Sequence, residues 1–148
     1  MSDSLTLTIQ RLDKTIPLPE YAYPGDAGLD LRAACDYTLL PEGRAAIPTA
    51  LRIAIPEGYA GFVLPRSGMA ARHGLSVVNT PGLIDSQYRG EVTVLAINHD
   101  ASEPIIIKKG DRIAQLVIVP VSQARLVEVD TLDETERNER GFGSSGSK

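Results

Sequence analysis

Short runs of β-favouring residues alternate with turn residues along the whole sequence, across which thirteen glycines and ten prolines are spread. No stretch keeps the spacing of three and four residues that marks a long amphipathic helix. A new run begins about every ten residues, which is typical of an all-β barrel or sandwich. Strands are predicted at residues 5–10, 29–31, 37–40, 51–55, 58–64, 75–79, 91–98, 105–107, 112–119 and 126–129, and one short helix at 67–73 with Ser67 as its N-cap.

Length and composition predict one domain followed by a tail. The chain has 148 residues, enough for one hydrophobic core, and with 5% aromatic residues and no Trp that core must be aliphatic. We expect the β domain to occupy residues 1–129. Residues 130–148 are first charged and then rich in Gly and Ser, so this segment cannot bury enough apolar surface to order itself.

Charge and hydropathy limit the partners that we expect. The formal net charge of −4 gives no long-range attraction for nucleic acid, so a phosphorylated ligand should be small and bound by a few local cations. No apolar run reaches membrane-spanning length, and the first residues are polar. The sequence therefore predicts a cytoplasmic protein that binds neither nucleic acid nor membrane.

One predicted hairpin carries the main catalytic candidate. The runs at 75–79 and 91–98 flank a segment that contains Pro81, Gly82 and Gly90, which favours a turn. Asp85 and Tyr88 lie near the tip of this hairpin. A carboxylate in a turn usually only accepts hydrogen bonds from nearby backbone, so Asp85 becomes a catalytic candidate through the other residues that accompany it.

Three further sites have the chemistry of a phosphate or metal site. Arg66, Ser67 and Gly68 combine a cation, a hydroxyl and backbone amides at a predicted helix start, which suits a phosphate. Asp30 lies between two leucines and is either a turn or edge residue or a metal partner. Gln115 interrupts an apolar run, where its amide needs hydrogen-bond partners that are either structural or part of a ligand.

The tail contains one aromatic residue, Phe142, between Gly141 and Gly143. A charged, Gly/Ser-rich terminus is usually frayed. Phe142 favours a second interpretation, in which its ring lies flat on a planar ligand while the glycines let backbone N–H groups approach phosphates.

Five segments of the chain, taken in order, resemble the five motifs of the trimeric dUTPases. They are AGLDLRA at 27–33, PRSGMA at 65–70, Asn79 with GLIDSQYRGE at 82–91, GDRIAQL at 110–116 and GFGSSG at 141–146. The resemblance implies a distorted jelly-roll or β-clip barrel that assembles as a homotrimer, with a flexible C-terminal tail that closes over a neighbouring subunit's active site. It also implies that dUTP is hydrolysed to dUMP and pyrophosphate, which limits uracil in DNA and supplies dUMP for thymidylate synthesis.

The same resemblance implies a role for each matching residue. Asp85 would be the general base for a water that attacks the α-phosphorus, and Asp30 would hold Mg²⁺ through water. The substrate would be bound by three groups of residues: the phosphates by Arg66, Ser67, Gly68 and Gln115; the uracil and deoxyribose by Asn79, Gly82, Leu83, Ile84, Tyr88 and Thr93; and the closed tail by Phe142, Gly143, Ser144 and Ser145. Either Arg137 or Arg140 would meet the γ-phosphate.

Two alternatives remain open from the sequence. The first is a dCTP deaminase, a relative that shares the barrel but has Ser at the position of Gly68 and a catalytic Glu that this chain does not obviously supply. The second is a nucleotide-binding regulatory trimer without catalytic activity. Such a protein has no need for both Asp85 and the Phe142 tail.

Overall fold

A computed structural model describes residues 4–146 of the chain. Within this range there are ten β-strands and one α-helix. The elements are β1 (Thr8–Arg11), β2 (Leu29–Arg32), β3 (Tyr37–Leu39), β4 (Arg44–Ala54), β5 (Tyr59–Leu64), α1 (Ser67–His73), β6 (Leu75–Val77), β7 (Gly82–Ile84), β8 (Glu91–Asn98), β9 (Ile105–Ile107) and β10 (Arg112–Pro120). The helix has seven residues, and no helix in the described part of the chain is long and apolar enough to cross a membrane.

The strands form two four-stranded sheets and one two-stranded sheet. Their orders are β1-β4-β8-β6, β2-β10-β5-β7 and β3-β9, and every pair that they contain is antiparallel. The core is aliphatic, as expected, and its fully buried side chains include Leu31, Leu39, Ile47, Val94 and Ile107. This architecture confirms the predicted all-β fold.

The hairpin of β6 and β8 is present, but its connection differs from the prediction. Leu75 pairs with Asn98 and Val77 with Ala96, so the two strands are antiparallel neighbours. The chain between them does not stay a loop. It crosses to the other large sheet and forms β7, which pairs with β5. Gly82 and Ile84 are buried there, which explains why this short segment leaves the hairpin.

Several predicted element bounds are wrong. The strand predicted at 126–129 does not form, and Leu126 is 91% exposed, because no strand of the described chain lies beside it. β4 begins at Arg44, well before the predicted start at residue 51, and β1 begins at Thr8 rather than at residue 5. Residues 121–146 contain no helix or strand and are exposed throughout.

Candidate active site

A pocket of about 520 Å³ brings together the five residues outside the tail that were predicted to hold phosphates or Mg²⁺. These are Asp30, Arg66, Ser67, Gly68 and Gln115. They come from three segments of the chain, and the first and last of them, Asp30 and Gln115, are 85 positions apart in the sequence (115 − 30). The rest of the lining comes from Arg112 and from the loop before β2, which contributes Ala22, Tyr23, Asp26, Ala27 and Gly28.

The register of one sheet explains this convergence. Gln115 on β10 pairs with Asp30 on β2 on one side and with Leu64, the last residue of β5, on the other. The three residues therefore lie side by side across the sheet. Because the chain leaves β5 at this point, Arg66 and the start of α1 follow directly beside Asp30 and Gln115.

Asp30, Arg66 and Arg112 form a closed ring of polar contacts. Oδ1 of Asp30 lies 2.9 Å from Nε of Arg66, and Oδ2 lies 3.2 Å from Nη1 of Arg112. Nη1 of Arg66 also donates a hydrogen bond to the carbonyl of Arg112, at 3.3 Å. Two guanidinium groups against one carboxylate leave a net positive charge, which suits an anionic ligand. Our sequence reasoning missed Arg112, although it lies within the fourth motif, three positions before Gln115.

Gln115 has the structural partner that a half-buried amide requires. Its Nε2 donates a hydrogen bond to the carbonyl of Pro65 at 2.8 Å. Its Oε1 occupies the space where a Cβ on residue 28 would stand, so Gly28 makes room for the amide. The bond to Pro65 also ties β10 to the turn that presents Arg66.

Helix α1 begins at Ser67, and Arg66 rather than Ser67 is its N-cap residue, so the predicted capping role of Ser67 is wrong. Arg66 has extended backbone (φ −90°, ψ 128°), and no side chain of the described chain caps the helix start. The Ser67 hydroxyl is therefore not used for capping. A Cβ on residue 68 would stand 3.1 Å from Nη2 of Arg72, so Gly68 lies directly under the Arg72 guanidinium. The turn thus combines a hydroxyl, uncapped amides and a second cation.

Asp85 follows β7 and is exposed at the surface. The Tyr88 N–H donates to the Asp85 carbonyl at 3.1 Å, which closes a turn. The Tyr88 hydroxyl donates to the carbonyl of Glu91 at 3.1 Å, and a Cβ at Gly90 would overlap that hydroxyl. At the other end of β7, the amide of Asn79 packs against Gly82, where a Cβ would stand 3.2 Å from Nδ2. Thr93 lies further along β8 and is exposed.

Asp85 and the pocket lie at opposite ends of β5. Ile84 pairs with Gly61, so Asp85 lies level with Ala60 near the start of β5, whereas Arg66 lies beyond the end of the strand at Leu64. At about 3.3 Å per residue, the strand from Ala60 to Leu64 alone spans roughly 13 Å, and Asp85 is not among the residues that line the pocket. One chain therefore does not bring its candidate base to its own phosphate pocket.

The tail residues lie apart from the pocket, whose described lining ends at Gln115. Arg137 and Arg140 contact each other instead. Nε of Arg137 donates to the Arg140 carbonyl at 2.8 Å, and Nε of Arg140 donates to the Arg137 carbonyl at 3.1 Å. The ring of Phe142 is fully exposed, and its backbone has φ 46°. Gly143, Ser144 and Ser145 follow in an exposed turn.

A family model described as dUTPase matches residues 14–146. The chain belongs to the dUTPase family. A dUTPase relative, the deoxyuridine 5'-triphosphate nucleotidohydrolase of Gloeobacter violaceus, is 53% identical, and the match covers 97% of this chain and 99% of the relative. The protein of the same name from Thermobifida fusca is 53% identical over 97% of this chain and 80% of its own length.

Solved dUTPase structures share the fold. The dUTPase of Staphylococcus bacteriophage 80alpha with dUpNHpp is 34% identical, with a TM-score of 0.86 over 95% of this chain and 98% of the phage chain. A mutant dUTPase of the S. aureus phage phi11 is 28% identical, with a TM-score of 0.79 over 85% of this chain and 97% of that chain, and it coordinates a structural Mg(II) ion. These similarities confirm the predicted jelly-roll-like dUTPase fold.

The Asp30 carboxylate suits a hydrated metal ion that enters the pocket already bound to a phosphate ligand. Within residues 4–146, no three His, Cys, Asp or Glu side chains lie close enough together to hold a metal ion. Asp30 offers one carboxylate, and each of its oxygens pairs with one arginine. A carboxylate oxygen has two acceptor positions, so Asp30 can still accept a hydrogen bond from metal-bound water. This fits Mg²⁺, which keeps several waters and binds substrate phosphates.

Proposed function

We propose that this dUTPase-family chain hydrolyses dUTP to dUMP and pyrophosphate, and thereby limits uracil in DNA and supplies dUMP for thymidylate synthesis. The single observation that carries the proposal is the convergence of Asp30, Arg66, Ser67, Gly68 and Gln115 in one pocket of a dUTPase fold. The nucleotidohydrolase activity named for relatives that are about half identical supports it.

In this proposal Asp85 is the general base. Its carboxylate takes a proton from a water molecule, whose oxygen forms a bond to the α-phosphorus. The bond between that phosphorus and the oxygen bridging to the β-phosphate breaks in line, and pyrophosphate leaves with the electron pair. Proton transfer to a positioned base contributes about 10²- to 10⁴-fold. The rest of the acceleration comes from positioning and from neutralising charge on the phosphates.

The phosphates are held by Arg66, Ser67, Gly68 and Gln115 in this scheme. The ring that Arg66 forms with Asp30 holds its guanidinium in place before the substrate arrives, so less side-chain freedom is lost on binding. Asp30 would hold a hydrated Mg²⁺ through water, and the ion, when bound with the triphosphate, would supply further charge neutralisation.

The hairpin selects the base and the sugar. Asn79 with the backbone of Gly82, Leu83 and Ile84, together with Thr93, would match the donors and acceptors of uracil. Cytosine reverses one edge of this pattern and leaves buried polar groups unpaired, which strongly weakens binding. Tyr88 would pack on the deoxyribose and leave no room for a 2′-hydroxyl.

A homotrimer would assemble the complete site. Within one chain, Asp85 lies near the start of β5 and outside the pocket, whereas Arg66 lies beyond the end of β5 and lines it, which supports a site shared between subunits. In the proposed trimer, Asp85 of one subunit meets the pocket of a second. The exposed apolar residues Leu126, Val127 and Val129 support contact with a neighbour, since a strand-forming run that pairs with no strand of residues 4–146 can pair with another copy.

The C-terminal tail completes the site in this proposal. The segment at 130–148 crosses to a neighbour, where Phe142 stacks on uracil and the backbone of Gly143, Ser144 and Ser145 donates to the phosphates. Arg137 or Arg140 meets the γ-phosphate. Both lie in the same exposed stretch, and the guanidinium group of each donates a hydrogen bond to the carbonyl of the other, so their contacts favour neither residue for this role. The cytoplasmic location predicted from the sequence stays a prediction.

The test is pyrophosphate release by the full chain from dUTP, dTTP, dCTP and UTP, each with and without Mg²⁺. We expect turnover of dUTP alone, faster with Mg²⁺. Ammonia release from dCTP would establish the deaminase alternative instead. Tight dUTP binding with no product would support the regulatory trimer.

A further inference from the structure

The centre of β4 contains a bulge opposite the start of β8. Pro48 pairs with Thr93 and Arg52 pairs with Glu91, so three residues of β4 stand opposite Val92 alone. The middle residue of the three, Ala50, has φ 57° and is buried. A left-handed conformation is unfavourable for Ala and persists only where neighbouring contacts fix it.

Two side chains fix this bulge. Oε1 of Glu91 accepts a hydrogen bond from the Ala50 N–H at 2.8 Å, which gives that buried N–H its partner. The hydroxyl of Thr49 donates to the carbonyl of Val92 at 2.6 Å. The two bonds lie on consecutive residues of both strands, but only the bond from Ala50 involves a residue that also contacts Tyr88, at the end of the Asp85 turn.

That residue is Glu91. Its backbone carbonyl accepts the hydrogen bond from the Tyr88 hydroxyl, and it directly follows Gly90, over which the Tyr88 hydroxyl lies. The side chain of Glu91 is thus tied to the bulge while its main chain is tied to Tyr88. The turn from Asp85 to Tyr88 ends three residues before this point.

We propose that Glu91 is a positioning residue for the reaction, because its bond to Ala50 sets where β8 begins and thereby sets the positions of Tyr88 and Asp85. The inference rests on the proposed function, since it assigns Glu91 to the hairpin that would hold the deoxyribose and the catalytic base. Glu91 acts through Tyr88 and the Asp85 turn and does not itself contact the substrate.

The test compares Glu91→Ala with Glu91→Gln and Thr49→Val. Gln keeps an oxygen that can accept from the Ala50 N–H, whereas Ala removes it. Thr49→Val removes the neighbouring bond at the same bulge, which goes to the Val92 carbonyl and involves neither Glu91 nor the turn from Asp85 to Tyr88, so it is the matched control for a loss of fold stability alone. The readouts are kcat and KM for dUTP, the ratio of kcat/KM for dUTP to that for UTP, and hydrogen exchange of the Ala50 amide.

We expect Glu91→Ala to lower kcat/KM for dUTP by about tenfold or more, since small misplacement of reacting groups is costly. We also expect it to lower the preference for dUTP over UTP, because a displaced Tyr88 admits the 2′-hydroxyl. Glu91→Gln should restore most of both values. Thr49→Val should lower the melting temperature and leave the preference unchanged.

A folded Glu91→Ala variant with wild-type kcat and wild-type sugar preference would overturn the inference. Equal loss of preference in Thr49→Val would overturn it too, because the effect would then come from the bulge in general. A wild-type chain that hydrolyses no nucleotide would refute the proposed function instead. Hydrogen exchange over residues 85–91 would then decide the inference, which fails if Glu91→Ala leaves that exchange unchanged.

Discussion

The side-chain amide of Gln115 lies against the backbone of Gly28, and its Oε1 fills the space that a Cβ on residue 28 would need. The carbonyl of Pro65 holds the other end of the same amide, 2.8 Å from Nε2. Gln115 is therefore fixed between two backbone segments in the lining of the pocket. Gly28 has no positive φ, so the requirement for glycine at this position is steric.

Gly28→Ala should displace Gln115 from the pocket and break its bond to Pro65. We expect kcat/KM for dUTP to fall about tenfold or more, because positioned hydrogen bonds to charged phosphates are strong. A double-mutant cycle with Gln115→Ala checks whether the effect of Gly28→Ala is transmitted by the Gln115 side chain. If Gly28 acts through Gln115, adding Gly28→Ala to Gln115→Ala costs little more, whereas fully additive losses would contradict this explanation.

Asp85→Asn should abolish most pyrophosphate release while substrate still binds. The amide cannot accept the proton from water, and a loss of about 10²- to 10⁴-fold is expected for a general base. Exposed Asp85 contributes little to the fold, so thermal unfolding should be unchanged. Single-turnover kinetics and the affinity for dUpNHpp measure the two effects separately. Near-normal turnover would remove Asp85 from this role.

Mixing two inactive variants tests whether separate subunits supply Asp85 and Arg66. Asp85→Asn and Arg66→Ala should each be inactive alone. Assembled together at equal amounts, they should recover activity at about a quarter of the sites, where one subunit supplies Asp85 and another supplies Arg66. A mixture of Asp85→Asn with the chain carrying both substitutions is the control and should stay inactive. No recovery in the first mixture would mean that one chain completes its own site.

Removing residues 141–148 should lower kcat strongly without changing the oligomeric state. The removed segment is exposed as far as residue 146 and contributes nothing to the described core. Phe142→Ala should reproduce much of the loss, and Phe142→Tyr should retain activity, because the stacking ring is kept. Size-exclusion chromatography with light scattering checks assembly. An unaffected rate in the truncated chain would show that the tail is only a frayed terminus.

Asp13 should stabilise the fold in a pH-dependent way. The Lys109 ammonium, 2.5 Å away, and hydrogen bonds from Thr15 hold the pKa of the Asp13 carboxyl well below its ordinary value near 3.8. A carboxyl with a lowered pKa stabilises the folded state above its unfolded pKa, and this contribution is lost as pH falls towards the folded pKa. Asp13→Asn should therefore lower the melting temperature slightly near neutral pH and by less in strong acid. A difference that grows on acidification would contradict this.

The local pattern of the sequence was sufficient for most of the strands and for the helix. Apolar alternation and turn residues act over a few neighbours, so they predicted β2, β5, β8 and α1 closely. The family motifs likewise identified Asp30, Arg66 and Gln115, which the fold brings into one pocket. Local pattern failed at 126–129, where a strand-forming run finds no partner among the described strands.

What the tertiary structure decided is which distant segments meet. β7 leaves the hairpin to pair with β5, Arg112 joins Asp30, and Glu91 reaches the N–H of Ala50. The sequence alone determined which residues carry chemistry and which runs form strands, because those properties belong to single residues and their neighbours. Strand register and packing decided the rest, including the distance between Asp85 and Arg66, because pairing between segments far apart in the chain is fixed only when the whole core closes.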